Sequence, residues 1–253
     1  MMDLARFFAS VRASLFEGRL TEAQVRGMEL KLDAFAAVGD GRAKTLGYGL
    51  ATGYHETGAR MVPVREGFAS SDAEARRKAA SRRYGKPVPP YGHVYYGRGD
   101  VQLTWADNYR DSSAEAGVDL LANPDAMLDP AVSARILWLG LQDGRWNKLG
   151  LGIAHYLPDA GPDDLQGARR TVNVTDRWQL IAGYHRRFMT AIELAGYAPP
   201  QEAPERPVES IPSVPAPEEP ELETALQRLA QWRAEAPLAA LAATTDWIGR
   251  MPA

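Results

Sequence analysis

Ala43-Lys44-Thr45-Leu46-Gly47-Tyr48-Gly49-Leu50-Ala51-Thr52-Gly53-Tyr54-His55-Glu56-Thr57-Gly58 is the stretch on which the reading of this chain turns. It predicts a helix from about Ala43 to His55 that Gly58 closes. An acidic residue in the last turn of an otherwise apolar helix is locally awkward. The helix C-terminus carries partial negative charge, which disfavours a carboxylate there and favours its protonated form. If apolar neighbours also desolvate Glu56, its pKa rises further, as a general acid at neutral pH requires. Taken alone, Tyr54-His55-Glu56-Thr57-Gly58 also fits a surface glutamate at a helix end.

Helical patterns continue on both sides. Leu4, Phe7, Phe8, Val11 and Leu15 fall at helical spacing before a stop at Gly18. Thr21 and Gln24 have the spacing of a capping box, and the helix they open would bury Val25, Met28, Leu32 and Phe35. Further helical patterns cover 129–142 and 176–194. Few segments alternate, apart from Val94 to Leu103. The expected fold is mainly α with a small β element.

A second signal lies at Tyr95-Tyr96-Gly97-Arg98-Gly99-Asp100-Val101-Gln102-Leu103-Thr104-Trp105. Two glycines flanking an arginine predict a tight turn, after which Gln102 and Thr104 would project from one face of an extended segment. An amide beside a hydroxyl suits the hydroxyls and N-acetyl groups of sugars. Tyr95, Tyr96 and Trp105 are candidate stacking faces for a pyranose ring. A plain β-hairpin with aromatic packing reads equally well from this stretch alone.

The whole chain has 253 residues, 45% hydrophobic and 24% charged, an ordinary globular balance. It has no cysteine, which removes disulfides, thiolate metal sites and thiol nucleophiles. The four histidines lack metal-ligand spacing, so neither a metal nor a cofactor is expected. Net charge is −3, but six glutamates against one arginine between residues 199 and 221 leave the first 198 residues at about +2. That mild positive charge suits a polyanionic wall and is not a nucleic-acid footprint. The first residues do not read as a secretory signal, and no stretch approaches the ~20 apolar residues of a membrane span. Eight of the eighteen prolines fall between Pro199 and Pro220, which predicts a semi-stiff, solvated linker over 199–221. Beyond it, Leu222, Leu226, Leu229 and Trp232 form one helical stripe in a tail, 222–253, too short for its own core. A domain over 1–198, with helices in 1–38 packed on it, is expected to precede them.

Together and in this order, several pieces resemble glycoside hydrolase family 19, which contains plant-type chitinases and many phage and prophage endolysins. They are His55-Glu56-Thr57-Gly58, Tyr95 through Thr104, Asn108-Tyr109, Gly117 through Asp125 and Arg169-Arg170-Thr171-Val172-Asn173. The resemblance spans roughly residues 40–195. It implies a two-lobed, lysozyme-like fold and an inverting mechanism with Glu56 as general acid. It places Thr104 where a small hydroxyl residue helps hold the attacking water. Tyr96 joins the substrate-binding set on the aromatic argument above, and Gln102 and Asn108 match positions that line the sugar cleft. Asn173 falls in an Ile-Asn-Gly-like turn, although Val174 replaces the glycine.

The resemblance puts the general base on a variable loop between the two motifs, where this chain offers Glu66, Asp72 and Glu74. Inverting hydrolases hold their carboxyl groups about 6.5–9.5 Å apart to admit a water. Glu66, followed by Gly67 in a structured-loop context, is preferred over Glu74, which sits in an exposed helix start, and over Asp72. The resulting expectation is an endolysin-type enzyme that cuts the glycan of bacterial peptidoglycan. A chitinase and a non-catalytic carbohydrate-binding phage component are the alternatives. Absence of cysteine, of a secretion signal and of a chitin-binding module favours peptidoglycan, as does the short spacing between the motifs. The opening segment, Phe7 to Thr21, also resembles endolysin N-termini. Such a protein would be a monomer, wait in the cytoplasm until a holin opened the membrane, or travel in a particle.

Overall fold

The computed structural model describes residues 2–147 and 149–198. The linker and tail expected over 199–253 lie outside the described residues. Among the described residues ten α-helices appear in order: α1 (Leu4–Leu15), α2 (Glu22–Val38), α3 (Ala43–Glu56), α4 (Asp72–Ala79), α5 (Ala106–Asp111), α6 (Ser113–Ala116), α7 (Pro130–Asp143), α8 (Ile153–Tyr156), α9 (Leu165–Ala168) and α10 (Trp178–Leu194). Two short strands, β1 (Val64–Arg65) and β2 (Arg98–Gly99), pair antiparallel with Val64 opposite Gly99 and Arg65 opposite Arg98. The fold is mainly α and lysozyme-like, with a small β element.

Local chemistry accounts for the helix starts. Asp3 caps α1 by accepting from the Arg6 backbone N–H at 3.1 Å. Thr21 and Gln24 complete the capping box of α2. Asp129 and Pro130 start α7. α1 buries Phe7, Val11 and Leu15, one stripe at spacing four, against α10.

α3 has a different pattern, because every residue from Thr45 to Gly53 is buried. A helix buried all round must let its neighbours come close. Gly49 shows how: a Cβ there would stand 1.9 Å from the Trp138 ring of α7. α10 packs along α3 through Ile181, His185, Phe188 and Ile192, while α2 lies against α7. These helices share one large core around Phe35, Leu46, Leu50, Trp138 and Phe188. A smaller cluster of Ala69, Ala75, Ala79, Val94 and Tyr96 forms the second lobe beside the strands.

A buried ion pair ties α2 to the loop that follows β2. Lys31 Nζ of α2 lies 2.8 Å from Asp100 Oδ1, with the side chains 2% and 0% exposed. Lys31 Nζ also donates to the Met61 carbonyl at 2.8 Å. Such a pair adds little over an apolar contact but is costly to break from one side.

Candidate active site

The tight turn between 98 and 103 falls one step later than the sequence suggests. Arg98 and Leu103 exchange backbone hydrogen bonds at 3.2 and 2.9 Å, so Gly99 to Gln102 form the loop of a hairpin. Gly99 adopts φ +82°, and a Cβ there would meet Ser133 Oγ at 2.8 Å. Gln102 is left-handed too, at φ 52°, so Gln102 and Thr104 do not share a regular extended strand. Both nevertheless reach one cleft.

That cleft has a volume of about 530 Å³. Gln102, Thr104, Asn108 and Asn173, four of the predicted site residues, line it together. The Gln102 amide nitrogen donates to the Val64 and Gly99 carbonyls at 3.0 and 3.1 Å, which ties β1 to the hairpin and leaves the amide oxygen for a ligand. Asn108 donates to the Thr104 carbonyl at 2.9 Å, and Asn173 accepts from the Val174 backbone N–H at 2.8 Å. Trp105, 44% exposed, offers an aromatic face in the same wall. The lining also includes Trp146 and Asn147, which sequence reasoning missed. Their signal was an aromatic and an amide just past Gly144, the left-handed cap of α7.

The expectation for Tyr95 and Tyr96 is corrected. Tyr96 is fully buried, its ring covered by the Arg98 guanidinium at 3.5 Å and its hydroxyl donating to Asp72 at 3.0 Å. Tyr95 is equally enclosed and donates to the Leu121 carbonyl. Neither ring has a face left for a sugar. Arg98 itself lies inside, bonded to Asp125 at 2.7 Å and to the Val94 carbonyl at 3.1 Å. The aromatic and charged residues from Tyr95 to Asp100 therefore build the scaffold.

Glu56 ends α3. Its side chain is 14% exposed and lies 2.8 Å from Arg169 Nη1, itself 2% exposed. Burial raises the carboxyl pKa above its ordinary range, the Arg169 charge opposes that shift, and Asp176 adds to it. Burial outweighs the arginine. Arg169 is a third residue that sequence reasoning left without a role. The next residues of its turn, Arg170, Val172 and Asn173, line the cleft, whereas Glu56 itself does not; it is linked to that turn through Arg169. His55 is half-buried, and burial lowers its pKa, so it is neutral at pH 7.

The loop carboxylates divide by their partners. Glu66 follows β1 and accepts from the Gly97 backbone N–H at 2.9 Å and from the Tyr84 hydroxyl at 2.8 Å. Burial and that bond push the Tyr84 phenol up to about 12. Glu74 serves the start of α4 instead. It accepts from the Ser70 backbone N–H at 2.8 Å and pairs with Lys78 at 2.7 Å, which holds it down at about 2. Asp72 pairs with Arg76 at 2.6 Å and receives the Tyr96 hydroxyl. Glu66 is bonded to the residue that precedes β2, although it does not line the 530 Å³ cleft. Among the described residues no cluster of metal-binding side chains occurs.

Comparison with known proteins adds the lineage to this geometry. The family model described as class I chitinase, glycoside hydrolase family 19, matches residues 22–161. The chain belongs to glycoside hydrolase family 19. Endochitinase 1 of Theobroma cacao is 50% identical over 48 residues, covering 19% of this chain and 15% of that protein. Endochitinase 2 of Gossypium hirsutum is 36% identical over 109 residues, covering 40% of this chain and 36% of that protein. The family 19 chain thus spans well under half the length of these curated relatives. Among solved structures, chitinase C from Streptomyces griseus HUT6037 aligns at 25% identity and TM-score 0.47, covering 78% of each chain.

Proposed function

We propose that this chain is a glycosidase that cleaves the glycan strands of bacterial peptidoglycan by an inverting mechanism, in the manner of an endolysin. One observation carries the reading: Glu56, a buried carboxyl with a raised pKa, is paired with Arg169, whose neighbour Arg170 lines a polar cleft of amides, a hydroxyl and an indole. In this reading Glu56 protonates the departing glycosidic oxygen. Glu66 removes a proton from the attacking water, and Thr104 helps position that water. Gln102, Asn108 and Asn173 hold the sugar.

Glu66 is preferred as base because one of its two contacts, the Gly97 N–H, adjoins the hairpin that carries Gln102. Glu74 is committed to its helix cap and to Lys78. A second reading, hydrolysis of chitin, is favoured by the names of the relatives, which are endochitinases. The endolysin setting, with release to the wall by a holin or carriage in a particle, belongs to the first reading.

The deciding experiment mixes the full-length protein with purified Gram-negative sacculi and, separately, with chitin. Loss of turbidity with soluble muropeptides supports the first reading, and their reducing-end sugar, read by mass spectrometry, names the bond cut. Release of chito-oligosaccharides with sacculi untouched gives the second. Glu56→Gln keeps the shape but has no proton to deliver, so turnover falls ~100-fold or more while the fold survives. Near-normal rates in that variant would remove Glu56 from the mechanism. Comparing Glu66→Gln with Glu74→Gln identifies the base, with the large loss expected at Glu66.

A further inference from the structure

The cleft is electrically neutral except at one point. Among the described residues lining it, Gln102, Thr104, Asn108, Asn147 and Asn173 supply uncharged polar groups, and Arg170 is the single ionisable side chain. Its neighbour Arg169 turns inward to Glu56 and Asp176. Arg170 is exposed, and none of the ion pairs among the described residues involves it.

Its placement is fixed by the turn that carries it. Arg169–Thr171 form a single 3-10 turn in which Arg169 and Thr171 are buried on either side of Arg170. The Arg169 carbonyl accepts from the Val172 and Asn173 backbone N–H groups at 3.2 and 2.9 Å. The turn is therefore anchored before and after Arg170, and its guanidinium is offered to the cleft from a firm base. A guanidinium presents a planar fork of donors that matches a carboxylate with two parallel hydrogen bonds. A neutral poly-N-acetylglucosamine chain brings no anion to meet it. A glycan with acidic substituents does.

We infer that Arg170 is a carboxylate-recognition site at the cleft, selecting glycans that carry acidic substituents over neutral chitin-type chains. The inference rests on the peptidoglycan reading above and names the group that makes the distinction. Two sources present the required carboxylate: the lactyl group of a muramic acid residue that carries no peptide, and, where a peptide is joined to that group as an amide, the free carboxylates of the stem peptide itself.

The test compares wild-type protein with Arg170→Gln on three substrates: intact sacculi, glycan strands stripped of peptide by an amidase, and a neutral chito-oligosaccharide. The expected result is a KM that rises about tenfold more on the carboxylate-bearing substrates than on the neutral one, equal to about 1.4 kcal/mol of selective binding. The excess shrinks as salt is raised, because an exposed ion pair is screened. An excess on stripped strands assigns the lactyl carboxylate, and one confined to intact sacculi assigns the stem peptide. An equal change on all three substrates, or none, overturns the inference while leaving peptidoglycan cleavage standing. If the wild type digests only the chito-oligosaccharide, the peptidoglycan reading has failed by itself. Arg170 is then decided by co-sedimentation of Glu56→Gln with sacculi, with and without Arg170→Gln. Weaker sedimentation of the double variant upholds the carboxylate site, and equal sedimentation removes it.

Discussion

Tyr95 to Asp100 and Gln102 to Trp105 are adjacent in one short run, yet they face opposite environments. In the first segment Tyr95, Tyr96, Arg98 and Asp100 are all buried, and their polar atoms are bonded to Leu121, Asp72, Asp125 and Lys31. In the second, Gln102, Thr104 and Trp105 line the cleft. The reversal happens inside the hairpin loop, where Gly99 and Gln102 both take left-handed backbone conformations. The lesson is that a highly specific motif need not be a substrate-binding motif throughout. Half of it holds the other half in place.

The sharpest way to break this contrast is at the buried end. Asp100→Ala leaves the Lys31 ammonium buried without its counter-charge, and the cost is about 3–5 kcal/mol of stability, read by chemical denaturation. Lys31→Met combined with Asp100→Asn removes both charges and recovers much of that loss. If the single and double variants unfold alike, the pair does not tie α2 to the hairpin loop as described.

The cleft end predicts the opposite balance. Thr104→Val keeps the shape, lowers turnover by about tenfold or more and leaves the melting temperature within about 2 °C, since removing one half-buried hydroxyl from the wall of an open cleft costs little stability. A fall in melting temperature comparable to that of Asp100→Ala would place Thr104 with the scaffold. Trp105→Ala should have a smaller effect, raising KM severalfold through loss of a stacking face worth about 0.5–1.5 kcal/mol.

The pH dependence tests the electrostatics at Glu56. Glu56 must hold its proton to act as an acid, and burial raises its pKa. Activity is therefore lost as pH rises through that raised value, and the basic limb of kcat/KM lies above the ordinary carboxylate range. Stability follows the same sign. A carboxyl whose pKa is raised in the fold contributes fully below its unfolded pKa, and that contribution disappears as pH climbs through the folded one. Glu56→Gln should flatten this dependence, and an unchanged stability profile would show that Glu56 is solvated.

Much of the helical frame was legible because its signals are local. The Thr21–Gln24 box, the Phe7-Val11-Leu15 stripe and the last turn at Glu56 depend on residues a few positions apart. The inward direction of Tyr95, Tyr96 and Arg98 was not legible, because burial there depends on Asp72 and Asp125, about 25 residues away in either direction. Aromatic residues beside glycines look alike whether a sugar or an arginine covers them. Arg169 was hidden for a similar reason: its contact with Glu56 spans more than a hundred residues, and only the folded chain brings the two charges together. Trp146 and Asn147 carried only a faint signal, an aromatic and an amide after the glycine that ends α7.

The backbone of α1 begins against the end of α10, where the Asp3 N–H donates to the Ala195 carbonyl at 2.8 Å. The first and last helices of the described residues therefore meet at one point, as the ends of a ring do. A short peptide joining that point would close the framework on itself, and new extremities could then be opened at an exposed turn such as Gly161, where no side chain crowds the backbone. A permuted protein of this kind would have the same helices meeting in the same core, threaded in a different order.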